Sequence, residues 1–304
     1  MSTTQDGRPE IAFPSHIGVW WNSEAWPIGE AAAVARDIEQ LGYGSLFFGE
    51  AFGKEALTQA AAFLAATDQL VVGTGIASIH ARDPIASEVG GRTLAALHPR
   101  RFVLGLGVSH GPLVEGGRGG SYSKPLSTMR DYLRRMDEVP AELEEGARPL
   151  RLLAALGPRM TELAGVAADG AHTSFVLPAQ TTSMRAALGP EKWIVVMQAV
   201  AVTEVGGVTD ADGLRQARTV LDTYTALPNY QKSWLRQGFD EADVVNGGSE
   251  RLARTIFGIG NAATAAASTH AHLDAGADHV VVQVLGDTPT EDPRPALQAL
   301  AAAL

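Results

Sequence analysis

Three histidines lie within or just beyond short apolar runs, at His80, His110 and His172. Imidazole groups that converge from separate strands can bind a metal ion, and near neutral pH they can also exchange protons. However, the first apolar run ends without an H-x-H pair, and few carboxylates accompany the three histidines. The sequence therefore favours polar or proton-handling roles over a metal site. A metal-dependent barrel hydrolase that uses these histidines is kept as an alternative.

A second segment that could take part in binding or chemistry is the turn Ala155-Leu156-Gly157-Pro158. It leads from an apolar run into a stretch of helical period. Backbone N–H groups at a helix N-terminus bind phosphate, and glycine lets an anion approach the backbone closely. Arg159 could add a positive charge. The spacing alone predicts either an anion site or an ordinary strand-to-helix turn, because such turns commonly hold glycine and proline.

Eight apolar runs, each followed by a stretch of helical period, must position these residues. The runs cover residues 17–21, 45–48, 70–76, 102–108, 150–154, 171–176, 193–202 and 279–285. The alternation predicts one (β/α)8 TIM-barrel domain over residues 1–304. The predicted domain has an insertion after strand four, which precedes a helix over 129–145. A second, helical insertion covers 210–274, between strands seven and eight. An open doubly wound sheet is disfavoured because His110 stands where a third glycine should follow Gly105 and Gly107.

Side chains at the carboxyl ends of barrel strands line the pocket, whereas those at the other end stabilise the fold. The residues predicted to line the pocket by this rule are Trp20, Trp21, Asn22, Glu50, Phe52, Ser78, His80, Ser109, His110 and residues 172–174. The histidines that precede their strands, and are predicted to be structural, are His16, His98 and His279. Trp20 and Trp21 are neighbours in a strand, so only one of them can face inward. In the second insertion, Tyr230 and Trp234 could cover the pocket or pack between helices.

Composition limits the classes of protein that the chain can represent. The formal charge of −10 argues against a general nucleic-acid binder, which needs a cationic face. The lack of cysteine excludes disulfides, thiolate metal sites and iron–sulfur clusters. No apolar run approaches the roughly 20 residues that span a bilayer, and the polar start does not read as a secretory signal. We therefore expect a soluble cytoplasmic protein without a membrane or nucleic-acid partner.

Five segments carry a family resemblance that covers nearly the whole chain, in order. They are residues 73–76 (GTGI), 101–107 (RFVLGLG), 154–160 (AALGPRM), 163–170 (LAGVAADG) and 274–280 (DAGADHV). In these segments the sequence resembles the luciferase-like monooxygenase superfamily, and within it the branch that uses the deazaflavin coenzyme F420. Each segment is weak evidence alone, but five in register are strong.

The resemblance implies where the cofactor lies. Family members carry a non-prolyl cis peptide at the end of strand three, which falls here at Gly75–Ile76, against the flavin-like ring. The backbone of Gly107 and Val108 is expected near the ring, and the turn from Ala155 to Pro158 is expected to hold the cofactor phosphate. The resemblance therefore favours the anion-site interpretation of this turn.

The sequence also departs from the family pattern at the proton-handling positions. Deazaflavin dehydrogenases of this superfamily often place an acid and then a histidine after strand two, but here Glu50 is followed by Ala51. Where the sugar-phosphate dehydrogenases carry a glutamate at the end of strand four, this chain has His110. His110 is therefore the first candidate for a general acid or base, and Glu50 the second.

The resemblance predicts an oxidoreductase that moves a hydride between coenzyme F420 and a small organic substrate. The substrate pocket is predicted to contain Trp20, Trp21, His80, Ser109 and His172. The nearest alternative is an FMN-dependent monooxygenase of the same superfamily, supplied with reduced flavin by a separate reductase. A cofactor-binding protein without turnover is a further alternative, because the strand-two histidine is missing. By analogy with relatives, we expect a homodimer.

Overall fold

The eight apolar runs form the parallel strands of a closed barrel in a computed structural model, which describes residues 10–140 and 148–304. The strands are β1 (Ile17–Trp20), β2 (Ser45–Phe48), β3 (Val71–Thr74), β4 (Ala77–Ser78), β5 (Phe102–Gly107), β6 (Leu150–Ala154), β7 (Gly170–Ser174), β8 (Trp193–Val202), β9 (Gly258–Gly260) and β10 (His279–Val284). β4 follows a cis peptide bond between Gly75 and Ile76 and pairs with β5. Because β10 pairs with both β1 and β8, the barrel closes and the predicted fold class is confirmed.

Helices alternate with these strands. They are α1 (Ile28–Gln40), α2 (Ala56–Ala66), α3 (Pro84–Leu97), α4 (Pro125–Asp137), α5 (Pro158–Ala167), α6 (Pro178–Leu188), α7 (Asp210–Tyr224), α8 (Pro228–Arg236), α9 (Glu250–Ile256), α10 (Ala262–Asp274) and α11 (Arg294–Ala301). Several begin with proline, whose missing N–H costs nothing at a first helical position. In the described part of the chain, no helix is long and apolar enough to cross a bilayer.

The insertion after strand four differs from its prediction in two ways. Within the glycine-rich stretch 110–127, which the sequence predicts as a loop, residues 112–117 form a short π-helix. The helix predicted over 129–145 begins earlier, at Pro125, and ends at Asp137, shortly before Pro140. Residues 141–147 of that prediction lie outside the described residues.

The second insertion is more broken than the predicted helical stretch over 210–274. It contains α7, α8 and α9, a 3-10 turn at Glu241–Asp243 and the short strand β9, which extends the sheet beside β8. Pro228 starts a new helix, and Gly247 and Gly248 adopt positive φ angles of 78° and 76°, which interrupt helical geometry. β9 has the sequence Gly-Ile-Gly, whose glycines carry no strand preference, so its position comes from pairing with β8.

Alternating side chains along each strand divide the core into two parts. Leu150 and Leu152 of β6 belong to a buried cluster with Val103, which fills the barrel. Leu153, the next residue after Leu152, belongs to a second cluster that packs the strands against the surrounding helices. This division follows from the twofold alternation of side chains in a strand.

The amino end of the barrel is closed by the buried side chain of His279. Its Nε2 lies 2.6 Å from Oγ of Ser45, and its ring stacks on Phe13 at a centroid distance of 4.1 Å. Both His279 and Ser45 are the first residues of their strands. His279 therefore packs at the end of the barrel that stabilises the fold.

Stability is expected to fall as the pH drops below about 6.5, because three histidines are buried in their neutral form. Burial lowers the pKa of His172 and of His272 to about 4, and that of His279 to about 3. Since these values lie below that of an unfolded histidine, the unfolded chain binds more protons between pH 6.5 and 4. Stability is then complete above pH 6.5, and each histidine contributes a loss of up to about 1.4 kcal/mol per pH unit below it.

Urea unfolding at a series of pH values from 7.5 to 5 measures this effect. The His272→Gln variant removes one of the three titrating groups, so its stability should depend less steeply on pH than that of the unaltered protein. A free energy of unfolding that does not change between pH 7 and 5 would contradict the prediction.

Candidate active site

One large cavity, of about 1200 Å³, opens at the carboxyl ends of the barrel strands. Most of the residues that the sequence assigned to the site line it. They are Trp20, Glu50, Gly75, Ile76, Gly107, Val108, Ser109, His110, Ala155, Leu156, Gly157, Pro158 and His172. The rule that strand ends build the pocket therefore locates most of the wall.

Four residues predicted to line the pocket, Trp21, Phe52, Ser78 and His80, lie outside the cavity lining. Phe52 is exposed at the surface, and Ser78 is buried in the short strand β4. The Trp21 side chain is buried in the core, with its ring 5.3 Å from that of Trp26 in an edge-on arrangement. Successive strand residues point to opposite faces, so Trp20 takes the inward position and Trp21 cannot. The ring of His80 lies 6.3 Å from that of Tyr122, and Tyr122 lines the cavity instead.

The floor of the cavity is made largely of backbone from glycine-rich strand ends. The indole Nε1 of Trp20 donates to the carbonyl oxygen of Gly75 at 2.7 Å. A Cβ atom on Gly75 would stand 2.9 Å from that nitrogen, and one on Gly107 would stand 2.3 Å from Cδ1 of Ile76. Any side chain at these glycines would therefore displace its neighbours. Because neither glycine has a side chain, the floor is backbone against which a planar ring can lie.

Two histidines reach the cavity with one ring nitrogen unpartnered. The buried Nδ1 atoms of His110 and His172 have no hydrogen-bond partner among the described residues. Burial lowers the pKa of both imidazoles, so both are neutral near pH 7. Buried polar atoms without a partner are uncommon. Because both Nδ1 atoms are buried, the other ring nitrogen of each histidine is the one that is open to a bound molecule.

Glu50, the second candidate for proton transfer, has hydrogen-bond partners on both of its carboxylate oxygens. Its Oε1 accepts from the N–H of Ala56 and pairs with Arg82, and its Oε2 accepts from the N–H of Ser78 at 2.9 Å. The side chain is 2% exposed. Glu50 therefore ties the loop after β2 to the segment after β3 while it lines the cavity, and its role as the second candidate for proton transfer stays a prediction.

The turn after β6 has the features of an anion site. Gly157 precedes α5 in extended geometry, and no side chain caps the helix. The N–H groups in the first turn of a helix have no intrahelical partner. The guanidinium of Arg236 donates from Nη2 to the carbonyl oxygen of Leu156 at 2.9 Å, which places a second-insertion cation beside the turn.

Four cations line the cavity: Lys124, Arg159, Lys232 and Arg236. Within residues 10–140 and 148–304, none of the four forms an ion pair with a carboxylate, although most arginines elsewhere in that part of the chain do. Unpaired positive charge at the rim of a cavity in an acidic protein favours an anionic ligand.

The second insertion supplies an aromatic wall beside His110. From the sequence, its aromatic residues could either cover the pocket or pack between helices. The ring of Tyr230, on α8, lies 5.9 Å from that of His110, and its hydroxyl lies 3.2 Å from Oγ of Ser174. Tyr224, on α7, packs against Tyr230 at 4.6 Å. Trp234 is completely buried beneath them and does not reach the cavity. No local sequence signal places α7 and α8 over the barrel, so packing alone brings these tyrosines to the site.

A closed parallel barrel with a glycine floor, an uncapped helix N-terminus and a cationic rim defines a (β/α)8-barrel protein with a cofactor-sized cavity. The chain belongs to the luciferase-like monooxygenase family, a family of oxidoreductases, whose model matches residues 10–279. The family resemblance inferred from the five sequence segments is thereby confirmed.

Individual relatives include both deazaflavin and flavin proteins. A Mycobacterium tuberculosis protein, whose name assigns it to the coenzyme F420-dependent oxidoreductases, is 34% identical over 117 residues. That match covers 38% of this chain and 33% of the relative's length. Among solved structures, an F420-dependent secondary alcohol dehydrogenase in complex with an F420–acetone adduct has a TM-score of 0.74 at 13% identity, over 95% of this chain and 97% of that one.

A second structural neighbour binds FMN. It is the oxygenating constituent of 3,6-diketocamphane monooxygenase from Pseudomonas putida, with a TM-score of 0.68 at 14% identity, over 94% of this chain and 95% of that one. At these identities both structures establish the shared fold alone.

Proposed function

We propose that this protein is an F420-dependent oxidoreductase that transfers a hydride between the coenzyme and a small organic substrate. The observation that carries the proposal is the combination, in one cavity, of a side-chain-free floor at Gly75 and Gly107 with the turn at Gly157. The floor fits a planar ring, and the turn fits a phosphate. The family and the name of the Mycobacterium tuberculosis relative support the same cofactor class.

The cationic rim favours F420 over FMN. FMN presents a single phosphate, whereas F420 carries glutamate carboxylates beyond its phosphate. Lys124, Arg159, Lys232 and Arg236 supply more positive charge than one phosphate needs. An FMN-dependent monooxygenase served by a separate reductase is the second candidate, because a structural neighbour is recorded with FMN.

When bound, the deazaflavin supplies a carbon that accepts or gives a hydride. Ile76 and Trp20 would support the ring from the floor, and Ala155 to Pro158 would hold the phosphate. His110 would hydrogen-bond the reacting oxygen of the substrate, in a pocket that Ser109, His172 and Tyr230 complete. These side chains exclude water and orient the substrate, which is the protein's part in hydride transfer.

The metal-dependent hydrolase alternative loses its proposed ligand set. His110 and His172 line the cavity, whereas His80 does not. Across the described ranges, no group of three or more His, Asp or Glu side chains is placed to hold a metal ion. Oxidoreductase chemistry is therefore the function that the site supports best.

Replacing Lys232 or Arg236 by alanine is expected to weaken F420 binding about tenfold, which corresponds to about 1.4 kcal/mol. The loss arises because each cation would face the anionic end of the coenzyme without a competing carboxylate. Titration of F420 fluorescence, at low and at physiological salt, measures the dissociation constant. Arg36→Ala, at an exposed position of α1, is the matched control and should bind F420 normally.

Parallel titrations with FMN test the cofactor assignment. Tight FMN binding without F420 binding would overturn the proposed function and leave the monooxygenase alternative. F420 binding that is indifferent to both substitutions would contradict the role assigned to the cationic rim.

We also propose that two copies associate through α2 and α3. α2 contains no charged residue, and on α3 the side chains of Ile85, Val89 and Leu97 are exposed. A face without charge lets two chains of the same negative sign approach, and an isologous dimer uses the same patch twice.

The Val89→Glu variant is expected to be monomeric, because it places like charges opposite each other across the twofold axis. Light scattering coupled to size-exclusion chromatography measures the mass. Val245→Glu is the matched control, since Val89 and Val245 are each 39% exposed. A dimer that survives Val89→Glu, or a monomer before substitution, would contradict this interface.

A further inference from the structure

One wall of the cavity is built from apolar and aromatic side chains. It consists of Met197 on β8 together with Tyr224, Leu227 and Tyr230 of the second insertion, and we call these four residues the apolar wall. They adjoin one another, because Met197 lies beside Ser174 in the sheet and Ser174 contacts the hydroxyl of Tyr230. Among the described residues that β7, β8, α7 and the turn before α8 contribute to the cavity lining, none is a lysine, arginine, aspartate or glutamate.

The turn from α7 into α8 places three members of the apolar wall on one side. The N–H of Leu227 donates to the carbonyl oxygen of Tyr224 at 3.1 Å, and the N–H of Tyr230 donates to the carbonyl oxygen of Leu227 at 3.0 Å. Side chains three positions apart in such helical turns lie on the same side. Leu227 and Tyr230 are only 8% and 7% exposed, so this side is packed against the barrel.

The tyrosines of the apolar wall present rings rather than polar groups. The hydroxyl of Tyr230 lies 3.2 Å from Oγ of Ser174, and its ring packs against those of Tyr224 and Trp234 at 4.6 and 5.7 Å. Burial raises the pKa of Tyr224 to about 12 and also raises the pKa of Tyr230, so both phenols are neutral near pH 7. A molecule bound here therefore meets hydrocarbon surface without charge.

The positive charges of the cavity are placed differently from the apolar wall. Lys124, Arg159, Lys232 and Arg236 are all exposed at the rim, and the proposed function assigns them to the anionic end of the coenzyme. Lys232 is two positions from Tyr230 on α8, so the two side chains point to different sides of that helix. A charged group on a substrate would lose its hydration against the apolar wall and gain no ionic partner there, which is costly.

We propose that the substrate of this oxidoreductase is an uncharged alcohol or ketone with a bulky hydrocarbon part. The hydrocarbon packs against the apolar wall, and the hydroxyl or carbonyl oxygen contacts His110, whose ring lies 5.9 Å from that of Tyr230. Sugar phosphates and other anionic substrates are thereby disfavoured. The proposal rests on the proposed function, since it assumes that the coenzyme occupies the cationic rim.

A series of alcohols tests this substrate class with the F420-loaded protein. Each methylene group buried against the apolar wall should raise kcat/KM about fourfold, so cyclohexanol should exceed propan-2-ol by a factor of tens. A cyclohexanol that carries a carboxylate on the opposite ring carbon should react about a hundredfold more slowly than its methyl ester, which is slightly larger but uncharged. A carboxylate that reacts as fast as its ester, or no gain from propan-2-ol to cyclohexanol, would overturn the proposal.

The Tyr230→Ala variant tests the apolar wall itself. The ratio of kcat/KM for cyclohexanol to kcat/KM for propan-2-ol should fall about tenfold, because only the larger alcohol reaches the missing ring. Tyr230→Phe keeps the ring and should keep the ratio, and Leu227→Ala is a second variant that should lower it if Tyr230→Ala does not fold. Leu235→Ala, at an exposed position of α8 outside the cavity lining, is the matched control. A ratio that neither alanine variant of the wall lowers would contradict the proposal.

A binding measurement does not depend on turnover. Calorimetric titration of the F420-loaded protein with the ester and with the carboxylate should show binding of the ester that is tighter by about tenfold or more. Equal or tighter binding of the carboxylate, or no binding of either compound, would overturn the proposed substrate class. Failure to bind F420 at all would instead overturn the proposed function.

Discussion

The His110→Ala variant is expected to lower kcat/KM about ten- to a hundredfold while leaving F420 affinity within a factor of two. His110 lies beside Tyr230 in the apolar part of the cavity, and its buried Nδ1 has no partner among the described residues. A substrate oxygen that loses its hydrogen-bond partner in such a site is left unsatisfied, at a cost of about 1–3 kcal/mol. Steady-state kinetics with propan-2-ol and cyclohexanol as probe alcohols, together with F420 titration, separate the loss of turnover from the loss of cofactor.

The expected role of His110 also predicts which substitution restores activity. His110→Asn keeps a hydrogen-bonding group and should recover part of the lost kcat/KM, whereas a residue that only fills space should not. His270→Ala, on α10 and outside the cavity lining, is the matched control and should leave kcat/KM unchanged. If His110→Ala turned over the probe alcohols at the unaltered rate, the assignment of His110 to the substrate would be wrong.

The Arg151→Met variant is expected to lower the free energy of unfolding by about 3–5 kcal/mol. Arg151 is 3% exposed, and its guanidinium contacts the carboxylates of Glu88 and Asp137, each at 2.8 Å. These contacts tie β6 to α3 and α4. Glu88 is also buried, and without Arg151 its only other ion-pair partner in the described chain is Arg92, one turn away. The substitution therefore leaves a buried carboxylate partly uncompensated.

Urea unfolding at pH 7.5 measures this loss, and Arg134→Met is the matched control. Arg134 pairs with Glu138 on the exposed surface of α4, where an ion pair contributes at most about 1 kcal/mol. Arg151 precedes the centre of β6 and lies toward the end of the barrel opposite the cavity, so F420 affinity of the folded variant should be unchanged. A loss below about 1 kcal/mol for Arg151→Met would show that the network relaxes around the substitution.

Much of the barrel could be predicted because its signals are local. Each strand is a short apolar run, and the helices that follow begin at prolines or side-chain caps that are visible in the sequence. The glycines at Gly75, Gly107 and Gly157 were also found from the sequence, because a close backbone approach leaves glycine as its mark. Their grouping in one cavity follows from the single rule that parallel strands end on the same side.

The remaining errors concern the direction in which a side chain points. The sequence restricted Trp20 and Trp21 to one inward residue, but only the register of β1 decides that it is Trp20. His80 follows its strand as predicted, yet Tyr122, from the loop after β5, lines the cavity instead. Glu50 lines the cavity, but both of its carboxylate oxygens already accept hydrogen bonds from neighbouring residues.

The sequence by itself determined the eight strands, the glycines of the cavity floor and the strand-to-helix turn at Gly157, because each depends on residues close together in the chain. Only the tertiary structure decided which polar groups meet in the cavity. Tyr230, Lys232 and Arg236 arrive on α8, whose docking over the barrel depends on the packing of a distant insertion. The contact between Glu24 and Ala51 joins two separate loops. Such contacts are set by long-range packing, which leaves no periodic pattern in the sequence.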